Sequence, residues 1–515
     1  MKLKIIYLTS RNAVLEINDG GIFHTKAPYS LKLNGEDYGT TDRIITGIYN
    51  LKPDSEYILS IENNDIQNSI TFTTLSESYT LNVKDFGARG DGSNDDTCCI
   101  QAAIMACPEN GRVYIPEGTY RITSIFLKSN LRLEIGKGAG LKAYTSTENH
   151  PIMPGLIQNY DETEEYNLGT WEGNPLTMYS GIIHGINVEN VVIYGQGIID
   201  GNANYDNWWK NPKEKGIAWR PRTIFLQQCN NVVIEGITVQ NSPSWTVHPY
   251  FSKNLKFIGM SIINPKDSPN TDALDVESCC NVDITGVYFS VGDDCIAIKS
   301  GKIYMGAKYK TPSKSITIRQ CCMRDGHGSV TIGSEMAGGV QDLTVKDCIF
   351  LDTDRGLRIK TRRGRGKDAI IDNVVFDHIK MDGVMTPLVV NCFYFCDPDG
   401  HTAYVRDKAP MPVDERTPEI KQLFFRNLEC KNCHVAAVYI YGLPEKKIEE
   451  IILENIFFDY AEDTKSGMPA MMDDLEPVSK MGVFIHNVEK LTMKNVVVKG
   501  QVGEDIILRN VDHII

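Results

Sequence analysis

The chain has 515 residues, a formal net charge of −13, 42% hydrophobic residues and 23% charged residues. That composition is globular and excludes a fibre or a disordered chain, while the acidic balance argues against sequence-independent nucleic-acid binding, which runs on basic surface. No apolar run approaches the ~18 residues a membrane helix needs, so no membrane partner is expected.

The start, MKLKIIYLTSRN, has four consecutive apolar residues, Ile5, Ile6, Tyr7 and Leu8. A secretory signal carries about 7–15 in its centre. The 14 cysteines include three adjacent doublets, Cys98–Cys99, Cys279–Cys280 and Cys321–Cys322, which do not make a disulfide framework. Single ones such as Cys348 read as small buried hydrophobes. The reducing cytoplasm is the expected compartment.

Residues 1–78 read as one short all-β unit, with alternating runs such as YSLKLNG, EYILSIE and SITFTT separated by Asn, Gly, Asp and Pro. The stretch Leu51-Lys52-Pro53-Asp54-Ser55-Glu56-Tyr57 with ILSIE resembles the late strands of a fibronectin type III domain, which implies a small β-sandwich. A spacer, a substrate-side wall or a plain appended domain are its possible roles.

Residues 79–515 change texture. One helix is expected, TCCIQAAIMACP at 97–108, placed to cap the open end of a strand-rich repeat. After it, β-branched runs introduced by Asn, Asp or a small residue recur, with starts at 231, 254, 281, 315, 342 and 369, spaced 23, 27, 34, 27 and 27 residues apart. A period of about 20–50 residues marks a solenoid. Because each repeat is strand-rich, with no helical period, the fold class expected is all-β: a right-handed parallel β-helix with coils stacked about 4.8 Å apart.

In such a fold, residues one coil apart line up on one face. Asp272 lies 21 residues before Asp293 and 22 before Asp294; His327 follows Asp294 by 33 residues and Arg358 follows His327 by 31. Paired carboxylates around a scissile bond are the usual machinery of glycoside hydrolysis. Asp at a coil corner ordinarily caps a turn, and Asp91, Asp95 and Asp96 read that way. Asp293 and Asp294 differ, because the apolar frame SVGDDCIAIKSG makes two adjacent carboxylates costly unless their charge is used. His327, between Gly326 and Gly328, fits a turn or a close approach to ligand equally well. Arg355, Arg358, Lys360, Arg362, Arg363, Arg365 and Lys367 put seven cations into thirteen residues of an acidic chain, which points to an anionic ligand.

Four motifs in order, Asn270-Thr271-Asp272, Gly292-Asp293-Asp294, Gly326-His327-Gly328 and Arg358-Ile359-Lys360, resemble the signature set of glycoside hydrolase family 28, the polygalacturonases. VKDFGARGDGSNDDTCCIQAAI resembles the N-terminal cap region of that family. The resemblance implies inverting hydrolysis of α-1,4 bonds in galacturonan, an anionic polysaccharide. It makes Asp293 the general acid, Asp272 and Asp294 the carboxylates that hold and activate water, and His327 the group that maintains the acid. Arg358 and Lys360 would bind the substrate carboxylate, Asn270 would shape the site, and Tyr394, after Val389-Val390, would also bind substrate. No cofactor and no metal are expected.

Long insertions at 145–180 and 201–222 resemble those of bacterial exo-acting members, in which extra loops close one end of the groove. Trp171, Trp208, Trp209, Trp219, Arg220, Arg222 and, beyond them, His248 in SWTVHP are then candidate substrate contacts. Release of galacturonic acid from the non-reducing end is the favoured reading, with endo action as the alternative. The rivals are a pectate-type lyase, which would want a calcium site, and a non-catalytic glycan-binding β-helix. Cys430-Lys431-Asn432-Cys433-His434 is a lone C-x-x-C-H string and is read as coincidence.

Overall fold

The computed structural model describes residues 1–64, 66–158 and 165–515. Among them, the first 73 residues form two antiparallel sheets. One is Lys2–Leu8, Ala13–Asn18 and Ile45–Ile48; the other runs in the order Glu36–Arg43, His24–Leu33, Glu56–Glu62, Gln67–Thr73. The two-residue side-chain period of a strand explains the packing: Leu15 and Ile17, Tyr29 and Leu31, Leu59 and Ile61 alternate inward and fill one small core.

From Thr80–Asn82 onward 33 of the described strands join one continuous sheet, each paired in parallel with its counterpart one coil away, while the short strands between Ile152 and Tyr179 pair antiparallel among themselves. The asparagines that open the repeats explain the spacing. Asn190, Asn231, Asn254 and Asn281 all have positive φ, between 54° and 59°, a region asparagine tolerates better than other side chains. Their amides form a ladder from coil to coil: Asn231 Nδ2 donates to Asn190 Oδ1 at 2.8 Å and Asn281 Nδ2 to Asn254 Oδ1 at 2.7 Å. The repeat expected to start at Ala369 is corrected by this ladder. Its turn residue is Asn373 (φ 53°), whose amide donates to Asp342 Oδ1 at 2.7 Å. The interior is set by the same register. Ile193, Ile234, Phe257, Ile284, Ile318, Val345, Phe376, Phe425 and Leu453 pair in succession and form one column of buried side chains. Each such side chain contributes about 1.5–3 kcal/mol of burial free energy.

The helix Thr97–Ala106 packs Ile100, Ala103 and Ile104 over the open end of this column, as expected of a cap. Asp96, ahead of it, accepts the amides of Arg89 and Gly90 at 2.6 and 3.1 Å and is a turn residue. The sandwich docks on the side of the coil through Val14, Ile44 and Ile45 against Val233 and Ile258. Glu235 anchors that junction: Asn12 Nδ2 and Tyr49 OH donate to it at 2.6 and 2.7 Å, and burial pushes its carboxyl up to about 8. All 14 cysteines are free of disulfides. Among the described residues, no helix is long and apolar enough to cross a membrane.

Candidate active site

Four consecutive parallel strands form the floor: Leu274–Glu277, Ile296–Lys299, Val330–Gly333 and Arg355–Lys360. The loops that enter these strands carry the acids. Backbone bonds tie the loops coil to coil, from Ala273 N to Asp294 O at 3.0 Å, Cys295 N to Gly328 O at 2.8 Å and His327 N to Asp293 O at 3.0 Å. Sequence period therefore becomes spatial convergence. Asp272, Asp293 and Asp294 each present a carboxylate oxygen within 4.8 Å of the others. They share a cavity of about 190 Å³ with Asn270, His327, Arg358, Lys360 and Tyr394.

The three carboxyls sit in unequal surroundings. Burial alone would raise Asp294, but Lys360 Nζ at 2.9 Å and Arg358 Nη1 at 3.1 Å outweigh it and hold that carboxyl well below the usual carboxylate range. Asp272 is raised well above its ordinary value by burial, by Asp293 and by Asp275, with Lys299 pulling the other way. Its Oδ1 has no hydrogen-bond partner among the described residues. Asp293 is the most accessible of the three, and its Oδ1 accepts the Asp294 amide at 3.0 Å. One held anion, one buried acceptor aimed into the cavity and one accessible carboxyl beside an exposed imidazole can divide the work of acid and base.

Glycines let the loops come this close. A Cβ on Gly292 would lie 2.3 Å from Ser268 O and 2.8 Å from Pro265 O, both backbone atoms. Gly292→Ala is therefore expected to push the Asp293 loop outward, costing about 1–3 kcal/mol in a denaturant titration. A larger fractional loss of kcat than of stability should accompany it.

Asn270 adopts φ 54° and its Oδ1 accepts from Arg220 Nη2 at 2.8 Å. The insertion arginine thus braces a residue of the cavity wall. Tyr394 lies over the cavity with its ring 5.7 Å from Lys360 Nζ, and burial pushes its phenol upward.

Two expected contacts are corrected. His248 is fully buried, its Nε2 2.9 Å from Glu277 Oε2, and Arg222 is fully buried between Trp171 and Trp245, 5.0 and 5.2 Å from their rings. Neither lines the cavity. The reason is register: His248 projects from the sheet at a level that the insertion roofs over. Trp171, Trp219 and Trp245 stack there at 4.4 and 4.8 Å, while Trp208 and Trp209 pack in a separate cluster. Of the tryptophans expected from the insertions none lines the cavity, and residues 159–164 of the first insertion lie outside the described residues.

The basic run is also divided. Strand alternation puts Arg358 and Lys360 on the cavity face. Beyond the strand, Arg362 and Arg365 pair with Asp397, at 2.9 and 2.7 Å, and Arg363 with Glu445 at 2.5 Å. Lys367 pairs with Glu415 at 2.6 Å. These cations hold loops rather than form a single anion-binding surface. The cavity wall includes residues that sequence reasoning missed, among them Glu172, Trp245, Lys299, Glu335 and Asp397. Lys299 closes the motif-bearing run GDDCIAIKSG, and Glu172 follows Trp171, so both had a signal; Glu335 and Asp397 had none. Among the described residues, none of 1–78 lines the cavity.

Comparison with known proteins agrees with this geometry. The chain is 30% identical over 426 residues to a probable polygalacturonase of Vitis vinifera, covering 80% of this chain and 81% of that protein. Its fold is similar to a hyperthermoactive exopolygalacturonase from Thermotoga maritima, with TM-score 0.64 and 26% identity, covering 82% of this chain and 92% of that one. It is similar also to a family 28 exopolygalacturonase from Yersinia enterocolitica, with TM-score 0.70 and 19% identity, covering 99% and 98% of the two chains, a likeness of fold. The sequence profile described as Glycosyl hydrolases family 28 matches residues 131–471. With the motif carboxylates converging on one cavity of a parallel β-helix, the chain belongs to glycosyl hydrolase family 28.

Proposed function

We propose that this glycoside hydrolase cleaves α-1,4 bonds of galacturonan from the non-reducing end, with inversion, releasing galacturonic acid. The observation that carries the reading is one cavity shared by the motif residues Asp272, Asp293, Asp294, Arg358 and Lys360. In it Asp293 protonates the leaving oxygen, Asp272 accepts the proton of the attacking water beside Asp294, and His327 keeps Asp293 supplied with its proton. Arg358 and Lys360 present cationic donors to a uronate carboxylate. The carboxyl oxygens lie within 4.8 Å, closer than the about 6.5–9.5 Å usual in inverting enzymes. Inversion therefore rests on the family resemblance, and proton NMR of the first-formed anomer tests it.

Exo action is supported by the insertion. Glu172 from residues 145–180 joins the cavity wall, Lys302 N bonds Gly173 O at 3.0 Å, and Lys302 Nζ reaches Asp397 at 3.1 Å. Loops from distant parts of the chain are thereby tied together over the floor. The similar exopolygalacturonases of Thermotoga maritima and Yersinia enterocolitica fit the same reading. Anion-exchange chromatography of early digests of polygalacturonate should show galacturonic acid growing linearly while long chains persist. A ladder of mixed oligomers would make the enzyme endo-acting, and an unsaturated, ultraviolet-absorbing product would make it a lyase.

A further inference from the structure

The floor carries a cation that the four motifs do not include. Register aligns Glu277 with Lys299 and Gly333 with Lys360, so Lys299 lies two coils before Lys360, on the strand that follows Asp294 and next to the coil of Asp272. At about 4.8 Å per coil this puts Lys299 beside the coil of Asp272 and Lys360 two coils farther from it. The Lys299 ammonium is clamped from several elements. Glu335 Oε2 lies at 3.0 Å, Asp275 Oδ1 at 3.5 Å and the Trp245 ring centre at 4.2 Å. It nevertheless lines the cavity.

Arg358 and Lys360, the other two cavity cations, each bond one oxygen of Asp294 and so act on that carboxyl. Among the described residues Asp272 has no comparable partner: its Oδ1 and both oxygens of Asp275 are buried without a hydrogen bond. Isolated buried carboxylates are strongly disfavoured.

We propose that Lys299 is a positioning residue for hydrolysis: its ammonium, held by Glu335 and Asp275 against Trp245, supplies the positive charge on the Asp272 side of the site and fixes Asp272 as the water-activating base. The inference rests on the hydrolytic reading above. The charges that face Lys299 support it. Burial would depress the ammonium, but Glu335, Asp275, Asp272 and Asp294 together keep it protonated. Lys299 in turn is the leading group that opposes the upward push on Asp272 from burial, Asp293 and Asp275. Glu277 and Glu172 also feel its charge, while Arg222 reinforces it from below and His248 stays neutral under burial and these cations. Glu335 is held ionised against burial by Lys299 and Lys302.

The test is the pH dependence of kcat and KM on trigalacturonate for the wild type, Lys299→Arg, Lys299→Met and the double variant Lys299→Met/Glu335→Gln. The double variant removes Lys299 together with its nearer carboxylate, so that Glu335 is not left stranded. Loss of the cation should make Asp272 harder to ionise, moving the acidic limb of the kcat/KM profile up by about one pH unit or more. On that limb kcat should fall about tenfold per unit, with KM within about threefold. Lys299→Arg should keep the wild-type limb. A rise in KM with an unmoved limb would overturn the proposal in favour of a substrate-carboxylate contact. A lowered melting temperature with unmoved kcat, KM and limb would overturn it in favour of a structural pair. Failure of the hydrolytic reading shows separately, as a wild type that releases no reducing sugar from trigalacturonate.

Discussion

Replacing Asp293 by Asn is expected to lower kcat by about 10²–10⁴-fold, the range a positioned general acid supplies, with KM within a few fold. The amide keeps the size of the carboxyl and its Oδ1 can still accept the Asp294 amide, now 3.0 Å away. What it loses is the proton for the leaving oxygen. Asp293 is more accessible than the fully buried Asp294, so the exchange leaves no charge stranded and the fold should melt within about 0.5 kcal/mol of the wild type. Rate measurement on polygalacturonate and binding of a tritiated or fluorescent oligogalacturonide together check it. A variant retaining more than about a tenth of wild-type kcat would remove Asp293 from the acid role. A glycan-binding β-helix, by contrast, would show unchanged affinity and no turnover to lose.

Lys360→Met should cost stability as well as activity. Asp294 is buried with its two oxygens bonded to Arg358 and Lys360, at 3.1 and 2.9 Å. Removing one partner of a buried ion pair costs about 3–5 kcal/mol, because the remaining charge is stranded; Arg358 retains part of the pairing, which places the expected loss near 3 kcal/mol. The sign with pH comes from linkage. Lys360 and Arg358 keep the folded-state Asp294 ionised down to lower pH than the free carboxyl, against the opposing effect of burial. The stability this contributes is present above the unfolded value of about 3.9 and is lost as pH falls through the lower folded value. Without Lys360 burial gains weight, Asp294 takes up its proton at higher pH, and the variant escapes the stranded charge sooner. Melting curves of variant and wild type should thus diverge most at neutral pH and approach each other below about pH 4. Parallel curves at every pH would mean that Lys360 acts by packing alone. For galacturonan, KM should rise about tenfold as one cation for the uronate carboxylate is lost.

Much of this site is legible in the chain because the fold is periodic. Spacings near one coil between Asp272, the Asp293–Asp294 pair, His327 and Arg358 suffice to stack them, since parallel strands cannot shift register without exposing their apolar column. The asparagine at each coil entry is a local requirement, a left-handed turn, and so stands out in sequence at Asn190, Asn231, Asn254 and Asn281. Arg358 and Lys360 share a face because they are two residues apart on a strand.

What escaped the sequence depends on segments far apart in the chain. The pairing of Arg362 and Arg365 with Asp397, and of Arg363 with Glu445, turns a basic run into loop anchors, and local composition holds no trace of which carboxylates will arrive. His248 and Arg222 read as polar residues in aromatic surroundings, which is equally true of a ligand wall and of a buried packing layer; only the seating of Trp171 and Trp219 over Trp245 decides for the layer. Lys299 and Glu335, 36 residues apart, meet because two coils stack. The sequence by itself therefore determined the all-β coil, its helix cap and the convergent acids, features set by short-range pattern and a constant period. The tertiary structure alone decided which charges are free to meet a substrate, because charge pairing and burial are settled by loops whose conformations no period dictates.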